Sequence, residues 1–545
     1  MNFRITGMRR PCFSTLVFGW LLLLSSSQAA ERWVYAPANY QVDKDADRVI
    51  ALMTRAKAAG YTHFLITDSK LARVPTLPER YFKNVERVRT AAKETGIELV
   101  PALFGVGYSN DLLSNDPNLA EGLPVKDALF VVKDYIASHV PDPLVLLKDS
   151  AFQDRARWSF FDETLVSMDG YARSDATTQN ARFAQKLKLQ PFRHYHVSVE
   201  LKTEGLRGGR PEIKLIAGSQ QLNYTNLQTK PTQEWTTHHI TFNSLGHSEV
   251  QIYFGVWGGH EGTLWWKNPQ LEETGLVNVL RRPGAPLVVK MEDGRVLVEG
   301  KDYEPVRDPK LGMVPYAGEF EVWHEPPSIT VKGIEDGVRL RVSFYHPHKV
   351  YEEQICACVS EPAFVDLLKR QAGDVTRVFP AQSYMMQHDE WRVMNWCGAC
   401  QKRALTPGQV AADNVRVCTD LLRAVAPKSR VLVWSDMFDP HHNARDRYYL
   451  VNGDLTGSWD GLSKEVILVN WNSGKAAESL KFFAERGHKQ LIAGYYDGPL
   501  DNTRKWLRTA KETKVEGIIG VMFTTWHHNY EQLEAFANML GDEGF

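Results

Sequence analysis

The sequence has few cysteines, almost no excess of charge of either sign and few long apolar runs. Six cysteines among 545 residues are too few for a scaffold held together mainly by disulfides. Lysine and arginine number 64 against 65 acidic residues, so nothing indicates a nucleic-acid partner or an anionic membrane surface. Beyond the first thirty residues no apolar run reaches the ~20 residues that span a bilayer. We therefore expect no stable membrane insertion of the mature chain.

The first thirty residues have the composition of a targeting segment. Three arginines among the first ten residues precede the short apolar run Phe13–Leu24, and Ser27-Gln28-Ala29 fits a small-x-small cleavage site. This order predicts a secretory signal peptide over residues 1–29, cleaved after Ala29. The protein is then expected to be secreted or periplasmic, and an uncleaved anchor is the alternative.

The cysteines of the mature chain leave three possibilities open. Cys356-x-Cys358 and Cys397-x-x-Cys400 could form a four-sulfur zinc site, although Cys-x-Cys is not the usual zinc-knuckle spacing. An exported protein can also form disulfides. Free, buried thiols are the third possibility, and the sequence does not decide among them.

Strand-like and helix-like segments alternate at both ends of the mature chain. Apolar runs at Trp33–Ala38, Tyr61–Thr67 and Ile97–Phe104 are separated by helical periodicity over Asp43–Ala59 and Glu79–Thr95. Five later runs alternate with helical segments: Ala381–Gln387, Arg430–Trp434, Val466–Trp471, Gln490–Tyr495 and Gly517–Thr525. Three strands followed by five predict an α/β fold, the (β/α)8 TIM barrel.

The middle of the chain has a different pattern. From about Asp154 to Glu273, alternating runs are separated by Gly, Pro and Asn turns, as in an antiparallel β-sandwich. We predict barrel strands one to three within 30–150, an inserted sandwich resembling a carbohydrate-binding module at 151–335, and strands four to eight within 336–545. Arg339–His346 is also strand-like and is assigned to the exit of the insertion. Trp257 and the Trp265-Trp266 pair could bind glycan or simply pack.

Polar and aromatic side chains follow the last five predicted barrel strands. His388, Asp389 and Glu390 end the fourth strand. The later strands end in Trp434-Ser435-Asp436, Trp471-Asn472, Tyr495-Tyr496-Asp497 and Trp526-His527-His528. Because barrel enzymes place their chemistry at the carboxyl ends of the strands, these residues predict one pocket. A solvated acidic turn, with the tryptophans in the core, is the alternative.

Adjacent acids restrict the chemistry that the pocket can perform. Most glycosidases place two carboxyl groups on opposite sides of a sugar ring, whereas sequence neighbours are one ~3.8 Å Cα step apart. The exception uses the 2-acetamido oxygen of the substrate as nucleophile. Glu390 would then be the general acid, with a pKa raised by an apolar wall such as Trp434 or Trp526. Asp389 would remain ionised and orient the acetamido nitrogen.

With these residues the two barrel halves resemble glycoside hydrolase family 20, the β-N-acetylhexosaminidases. The resemblance implies that Asp389 and Glu390 are catalytic and that Trp434, Trp471 and Trp526 wall the sugar. It also implies that Tyr495 holds the acetamido carbonyl and that Asp497 binds a sugar hydroxyl. Strand alternation would turn Tyr496 toward the helix layer.

The sequence also departs from the family pattern. Gln387-His388 replace the Gly-Gly that precedes the acidic pair, the range Trp33–Tyr40 contains no arginine, and His528 stands where a glutamate is expected. These departures indicate a divergent relative with different hydroxyl recognition. Further candidate substrate-binding residues are His388, Asp436, His528, Asp68 and Tyr108.

The sequence thus predicts an exported glycoside hydrolase that cleaves β-linked 2-acetamido sugars by substrate-assisted retention. We expect a glycan substrate, no cofactor and no metal ligand among the site residues. One alternative is a non-catalytic glycan-binding protein on a barrel scaffold. Another is a conventional two-carboxylate glycosidase that pairs Glu390 with Asp68, Asp436 or Asp497.

Overall fold

The computed structural model describes residues 30–168, 170–351 and 353–545, and its centre is a closed barrel of eight parallel strands. In chain order they are β1 Glu31–Pro37, β2 His63–Thr67, β3 Glu98–Leu103, β4 Ser383–Met386, β5 Arg430–Trp434, β6 Ile467–Asn470, β7 Gln490–Tyr495 and β8 Ile518–Thr524. Pairing of β1 with both β2 and β8 closes the barrel. The predicted barrel is confirmed, including the split between β3 and β4, which pair directly across the inserted segment.

Strand alternation separates the barrel interior from the helix layer. On β5, Leu432 and Trp434 point into the barrel, whereas Val431 and Val433 pack outward against helices. The interior is filled by Trp33, Tyr35, Leu65, Val100, Ala102, Met385, Leu432, Trp434, Ile467, Val469, Leu491, Ala493 and Met522. A barrel filled in this way leaves room for a ligand only at its mouth.

Within the described residues, seven longer helices surround the strands: α1 Asp43–Ala58, α2 Glu79–Thr95, α3 Pro362–Val378, α4 Pro407–Val425, α5 Ala476–Glu485, α6 Leu500–Glu512 and α7 Leu533–Asp542. Pro407 occupies the first turn of α4, where a helix tolerates proline, and Thr406 with Gln409 forms a capping box there. Two short helices, Asn110–Leu113 and Gly398–Lys402, lie in the segments that follow β3 and β4.

The connection between β5 and β6 departs from the regular pattern. In the described part of the chain it contains the 3-10 turns Asp436–Phe438 and Ser458–Gly461 and the short strand Leu450–Val451, but no α-helix. Gly461 packs directly on α4, where a Cβ would lie 2.0 Å from the Ala412 carbonyl oxygen. Only glycine fits this approach, so the loop is held firmly against the barrel.

Two five-stranded antiparallel sheets form the sandwich between β3 and β4. One has the order Gln233–Asn243, His194–Arg207, Glu261–Glu273, Tyr171–Ser174, Val166–Met168; the other has Gln220–Gln221, Glu212–Ala217, Glu249–Val256, Ala181–Lys188, Phe160–Phe161. Trp266 is fully buried between them against Phe183 and Phe254. Trp265 points to the opposite face beside Arg173 and Lys202.

A third antiparallel sheet extends beyond the predicted range 151–335 on both sides. Its order is Val288–Met291, Arg339–His346, Leu123–Lys133, Ile136–His139, Ile329–Thr330. Arg339–His346 pairs with Leu123–Lys133, so its assignment outside the barrel is confirmed. How the chain divides into independently folding domains stays a prediction.

The predicted signal peptide, residues 1–29, lies outside the described residues. Among the helices that are described, none is both long and apolar enough to cross a membrane.

Candidate active site

A cavity of about 440 Å³ opens at the carboxyl ends of the barrel strands. Its lining comes mainly from strand ends and the loops that follow them: Tyr35, Gly105, Tyr108, Asp111, Gln387, Asp389, Glu390, Trp434, Trp471, Tyr496 and Trp526. A larger cavity of about 1020 Å³ beside Arg281 and Asp308 shares no residue with it. The smaller cavity has the size of a small-molecule site and combines aromatic walls with carboxyl groups.

Aromatic rings form the walls of the cavity. The Tyr35 ring contacts Trp434 and Trp526, with centroids 6.5 and 5.0 Å away, and those two tryptophans contact each other at 6.4 Å. Tyr496 stacks on Trp471 at 6.2 Å and meets Trp526 edge-on at 5.7 Å. The structure therefore brings the three predicted tryptophans to one site, where their faces can pack against the C–H groups of a sugar.

Asp389 and Glu390 both line the cavity, but their surroundings differ. Burial, together with the neighbouring Asp436 and Glu390 carboxylates, raises the pKa of Asp389 to about 8. Glu390 is ion-paired with Arg392, whose Nη2 lies 2.6 Å from Oε2. The Tyr108 hydroxyl donates a hydrogen bond to the same oxygen at 2.6 Å.

The surroundings of the two acids differ from those that the sequence predicted. The sequence predicted a neutral Glu390 and an ionised Asp389, because an apolar wall was expected beside Glu390. In the structure it is Asp389 that is removed from water and has two carboxylates as neighbours, and both effects favour its protonated form at neutral pH. Glu390 instead faces a guanidinium group and a phenol.

The backbone that carries the pair is fixed from several directions. Glu390 has φ 48°, a left-handed conformation that costs a non-glycine residue of order 1 kcal/mol or more. Its N–H donates to Asp436 Oδ2 at 2.8 Å, and its carbonyl accepts from Gln354 Nε2 at 2.7 Å. A Cβ at Gly107 would lie 2.1 Å from the Asp389 carbonyl oxygen, so this position requires glycine.

Asp436 lies beneath the cavity and is fully buried, which corrects its prediction as a substrate ligand. Its carboxylate accepts hydrogen bonds from the backbone N–H of Glu390, from Asn443 Nδ2 at 2.8 Å and from Trp471 Nε1 at 3.2 Å. These bonds position one catalytic candidate and one wall residue. Asp436 is therefore a positioning residue.

The predicted orientations of Tyr495 and Tyr496 are wrong. Tyr495 stacks on Phe523 at 4.2 Å and packs toward Phe536 of α7, whereas Tyr496 lines the cavity. Strand alternation fails here because Tyr495, Tyr496 and Asp497 all have positive φ, from 52° to 77°. The chain bends out of the extended conformation at Tyr495, and the side chains exchange faces.

His388 and Asp68 do not line this cavity and have structural contacts instead. His388 is buried, with Nε2 3.0 Å from Asn414 Oδ1 of α4, and burial lowers its pKa to about 4. Asp68 accepts the backbone N–H groups of Tyr40 and Lys70 at 3.1 and 2.9 Å and so caps a turn after β2. Both predictions as substrate ligands are corrected.

Asp497 and His528 organise or flank the loop after β8 and do not line this cavity. Asp497 accepts hydrogen bonds from Thr525 Oγ1 at 2.5 Å and from the Trp526 N–H at 2.7 Å. It therefore holds the half-exposed Trp526 in place. His528 is exposed to solvent outside the cavity lining.

Sequence reasoning did not assign Arg392, Tyr35 or Tyr496 to the site, whereas Asp111, which follows the third strand, was expected on the side of the pocket and does line it. Tyr35 could have been found, because it lies two residues after Trp33 on β1 and both side chains therefore point into the barrel. Arg392 stands two residues after Glu390, but its contacts with Gln354 and with the rings of Tyr108, Tyr351 and Tyr449 depend on distant segments.

The chain is similar to solved structures with which it shares little sequence identity. No protein-family model matches the chain, and no curated protein matches it. A Flavobacterium johnsoniae chitobiase aligns over 94% of this chain and 48% of its own, with 10% identity and a TM-score of 0.38. A beta-N-acetylhexosaminidase from Bacteroides fragilis aligns over 94% and 66%, with 10% identity and a TM-score of 0.39.

A CBM4 structure aligns with a smaller part of the chain. It covers 24% of this chain and 94% of its own length, with 17% identity and a TM-score of 0.18. The chain spans less than two thirds of the length of both glycosidase structures. A functional assignment therefore depends on the geometry at the barrel mouth.

Proposed function

We propose that this protein is a glycoside hydrolase that cleaves β-linked 2-acetamido sugars, with the acetamido oxygen of the substrate as nucleophile. The observation that carries the proposal is the adjacent pair Asp389-Glu390, which opens onto an aromatic-walled cavity at the mouth of the barrel. The predicted alternatives involving Asp68, Asp436 or Asp497 each need a carboxylate that is engaged in internal hydrogen bonds.

Asp389 supplies the proton in this proposal. Its raised pKa keeps much of the carboxyl group protonated at neutral pH, as a general acid for the leaving oxygen requires. Glu390, held by Arg392 and Tyr108, acts as the anion that orients the acetamido N–H. It also stabilises the charge that develops on the acetamido group as its oxygen attacks the sugar and closes a ring. The substrate supplies the attacking atom, so no second carboxylate is needed across the sugar ring.

A two-carboxylate mechanism that uses Asp111 is the main alternative to substrate assistance. It is the one further carboxyl residue among those that line the cavity, and a conventional glycosidase could pair it with Asp389 or Glu390. The two mechanisms differ in their substrates. Substrate-assisted cleavage needs the 2-acetamido group, whereas a protein nucleophile does not.

The test uses aryl N-acetyl-β-hexosaminides with good and poor leaving groups. We expect Glu390→Gln to lower kcat/KM by ~10²–10⁴-fold on both, in the range of a lost catalytic group. Asp389→Asn should do the same mainly for the poor leaving group, which depends most on a proton donor. The exposed Glu516, before the amino end of β8, gives the control Glu516→Gln, which should leave kcat/KM unchanged.

Two results would contradict the proposal. Efficient cleavage of glycosides without an acetamido group, abolished by Asp111→Asn, would assign a two-carboxylate mechanism. Binding of a thiazoline inhibitor by a wild-type chain that cleaves no aryl glycoside would assign a glycan-binding protein. The ion pair that engages Glu390 is the feature that would favour the second outcome.

Export of the protein belongs to the same proposal, since polymeric glycans are encountered outside the cytoplasm. The expected mature amino terminus is Ala30, which follows the predicted cleavage site. Amino-terminal sequencing of the protein from its native host tests this directly, and a chain that begins at Met1 would contradict it.

A further inference from the structure

Three of the five cysteines of the mature chain gather around one buried carboxylate. Cys358, Cys397, Cys400 and Glu121 are each 2% exposed or less. One ligand atom from each lies within 4.8 Å of all the others. The cluster is separate from the catalytic cavity, and Cys356 and Cys418 are not part of it.

The spacing within the cluster matches the edges of a metal tetrahedron. Cys358 Sγ is 3.3 Å from Cys397 Sγ and 3.7 Å from Cys400 Sγ. Glu121 Oε2 is 3.4 Å from Cys400 Sγ and 3.8 Å from Cys397 Sγ. Zinc–sulfur bonds of about 2.3 Å in tetrahedral geometry place ligand atoms about 3.8 Å apart.

Glu121 is oriented as a metal ligand would be. Its Oε1 accepts the backbone N–H groups of Trp396 and Cys397, both at 2.8 Å. These bonds fix the carboxylate and leave Oε2 directed at the thiols. Outer hydrogen bonds of this kind commonly orient the ligands of metal sites.

The cluster needs a cation that the nearby protein does not fully supply. Arg282 lies beside it, but its Nη1 forms a buried ion pair with Glu361 at 2.6 Å. The same guanidinium donates to the carbonyl oxygens of Asn118 and Ala120. A buried carboxylate among thiols that has no cation of its own is costly, and a divalent ion would remove that cost.

We propose that Cys358, Cys397, Cys400 and Glu121 bind one structural zinc ion. Three thiolates and one carboxylate fill all four positions of a tetrahedron, and burial leaves no position for water or substrate. Thiolate ligands select zinc over magnesium and calcium, which prefer oxygen. The site therefore has no catalytic role of its own.

The ion would join three segments of the chain near the catalytic loop. Glu121 precedes the first strand of the inserted region, Cys358 precedes α3 where the barrel resumes, and Cys397 and Cys400 follow the Asp389-Glu390 loop. The first two segments already pair, through Cys358 N–H to Leu119 O at 2.9 Å and Glu121 N–H to Cys356 O at 2.8 Å. The metal would fix the third segment, and with it the loop that carries the acids.

The test measures metal in the purified full-length protein and does not depend on activity. Elemental analysis should find about one zinc per chain, as four protein ligands imply. A mercurial that modifies thiols should release this zinc in parallel with loss of the three cluster thiols. Cobalt replacement should give thiolate-to-cobalt charge-transfer absorption and the spectrum of a tetrahedral ion.

Variants separate the cluster from the other cysteines. Cys400→Ser and Glu121→Gln should lose most of the zinc, whereas the matched controls Cys356→Ser and Cys418→Ser, also buried, should retain it. If Cys400→Ser does not fold, the mercurial titration of the wild type still decides. Absence of metal from a protein prepared with zinc, or a Cys358–Cys397 disulfide found by mass spectrometry, would overturn the proposal.

Discussion

The barrel mouth and the thiol cluster both bury a carboxyl group, and they differ in access to solvent. Burial is the main cause that raises the pKa of Asp389 to about 8, and in the absence of a metal ion it also raises the pKa of Glu121. Asp389 faces a cavity of about 440 Å³, whereas Glu121 is enclosed by backbone N–H groups and thiols. A displaced pKa therefore indicates catalysis only where a substrate can reach the proton.

Each region also contains a buried arginine, and the two are engaged differently. Arg392 pairs with Glu390 at the cavity, and its Nη1 also donates to Gln354 Oε1 at 2.6 Å. Arg282 pairs with Glu361 and also binds two backbone carbonyls of the segment that leaves the barrel. The first arginine serves the site, and the second holds segments of the chain together.

The largest expected effect follows from this contrast. Arg282→Met should lower the free energy of unfolding by about 3–5 kcal/mol, because it leaves Glu361 buried without its partner. Arg392→Met should destabilise the protein less, because Glu390 is more exposed, but it should lower kcat/KM by ~10²-fold since it frees a positioned carboxylate. Urea unfolding and kinetics with an aryl N-acetylhexosaminide measure the two effects.

Arg416→Met is the matched control, since this arginine is half-exposed and its ion pair with Asp413 is long, at 3.8 Å. It should change stability by less than about 1 kcal/mol and leave activity unaltered. If Arg282→Met unfolds at the same urea concentration as this control, Arg282 does not hold the segments together.

An intermediate effect is expected on the pH dependence of stability. The folded-state pKa of Asp389, about 8, exceeds its ordinary value of 3.8, so the folded chain binds more protons than the unfolded chain between these pH values. The stability contributed by this group is therefore complete at low pH and is lost as pH rises toward 8. Asp389→Asn removes this loss.

The advantage of Asp389→Asn over the wild type should therefore grow from pH 5 to pH 8.5, by on the order of 2 kcal/mol. Denaturant midpoints at the two pH values give the comparison. Glu516→Gln, at an exposed position, should follow the wild type at both. A variant that gains nothing at pH 8.5 would show that Asp389 is ionised in the folded state, and its role as proton donor would fail.

The smallest effect separates the two adjacent tyrosines. Tyr496→Leu removes a ring that stacks on Trp471 in the cavity, so affinity for a thiazoline inhibitor should fall ~5-fold, or about 1 kcal/mol, with little change in stability. Tyr495→Leu removes a ring from the outer core, so stability should fall while affinity stays the same. Calorimetric titration measures the affinity of both variants, and thermal unfolding measures their stability. A loss of affinity in Tyr495→Leu and not in Tyr496→Leu would contradict the observed orientations.

The barrel was predictable because its signals are local. The burial of each strand and the periodicity of each helix are properties of short segments, and Glu79–Thr95 occurs with the predicted bounds. The acid pair and the tryptophans at strand ends could be placed for the same reason. Tyr495 and Tyr496 could not, because the positive φ that exchanges their faces depends on the loop that follows.

The electrostatic surroundings of the site depend on segments that are far apart in sequence. Glu390 meets Tyr108 from the loop after β3, and Asp389 is near Asp436 from the loop after β5. The surroundings of the two acids were predicted wrongly, because nothing within one segment shows which neighbours each acid will have. The same is true of Glu121, which no spacing rule associates with the cysteines.

By itself the sequence determined the order of strands and helices, the interruption between the third and fourth strands, and the acids that end the fourth strand. Alternating burial and helical periodicity act over a few residues, so these features need no knowledge of the fold. Only the tertiary structure decided which acid holds a proton, which tyrosine faces the cavity and which carboxylate joins the thiols. Charge and burial depend on distances in space, and the chain sets those distances only when its remote segments pack together.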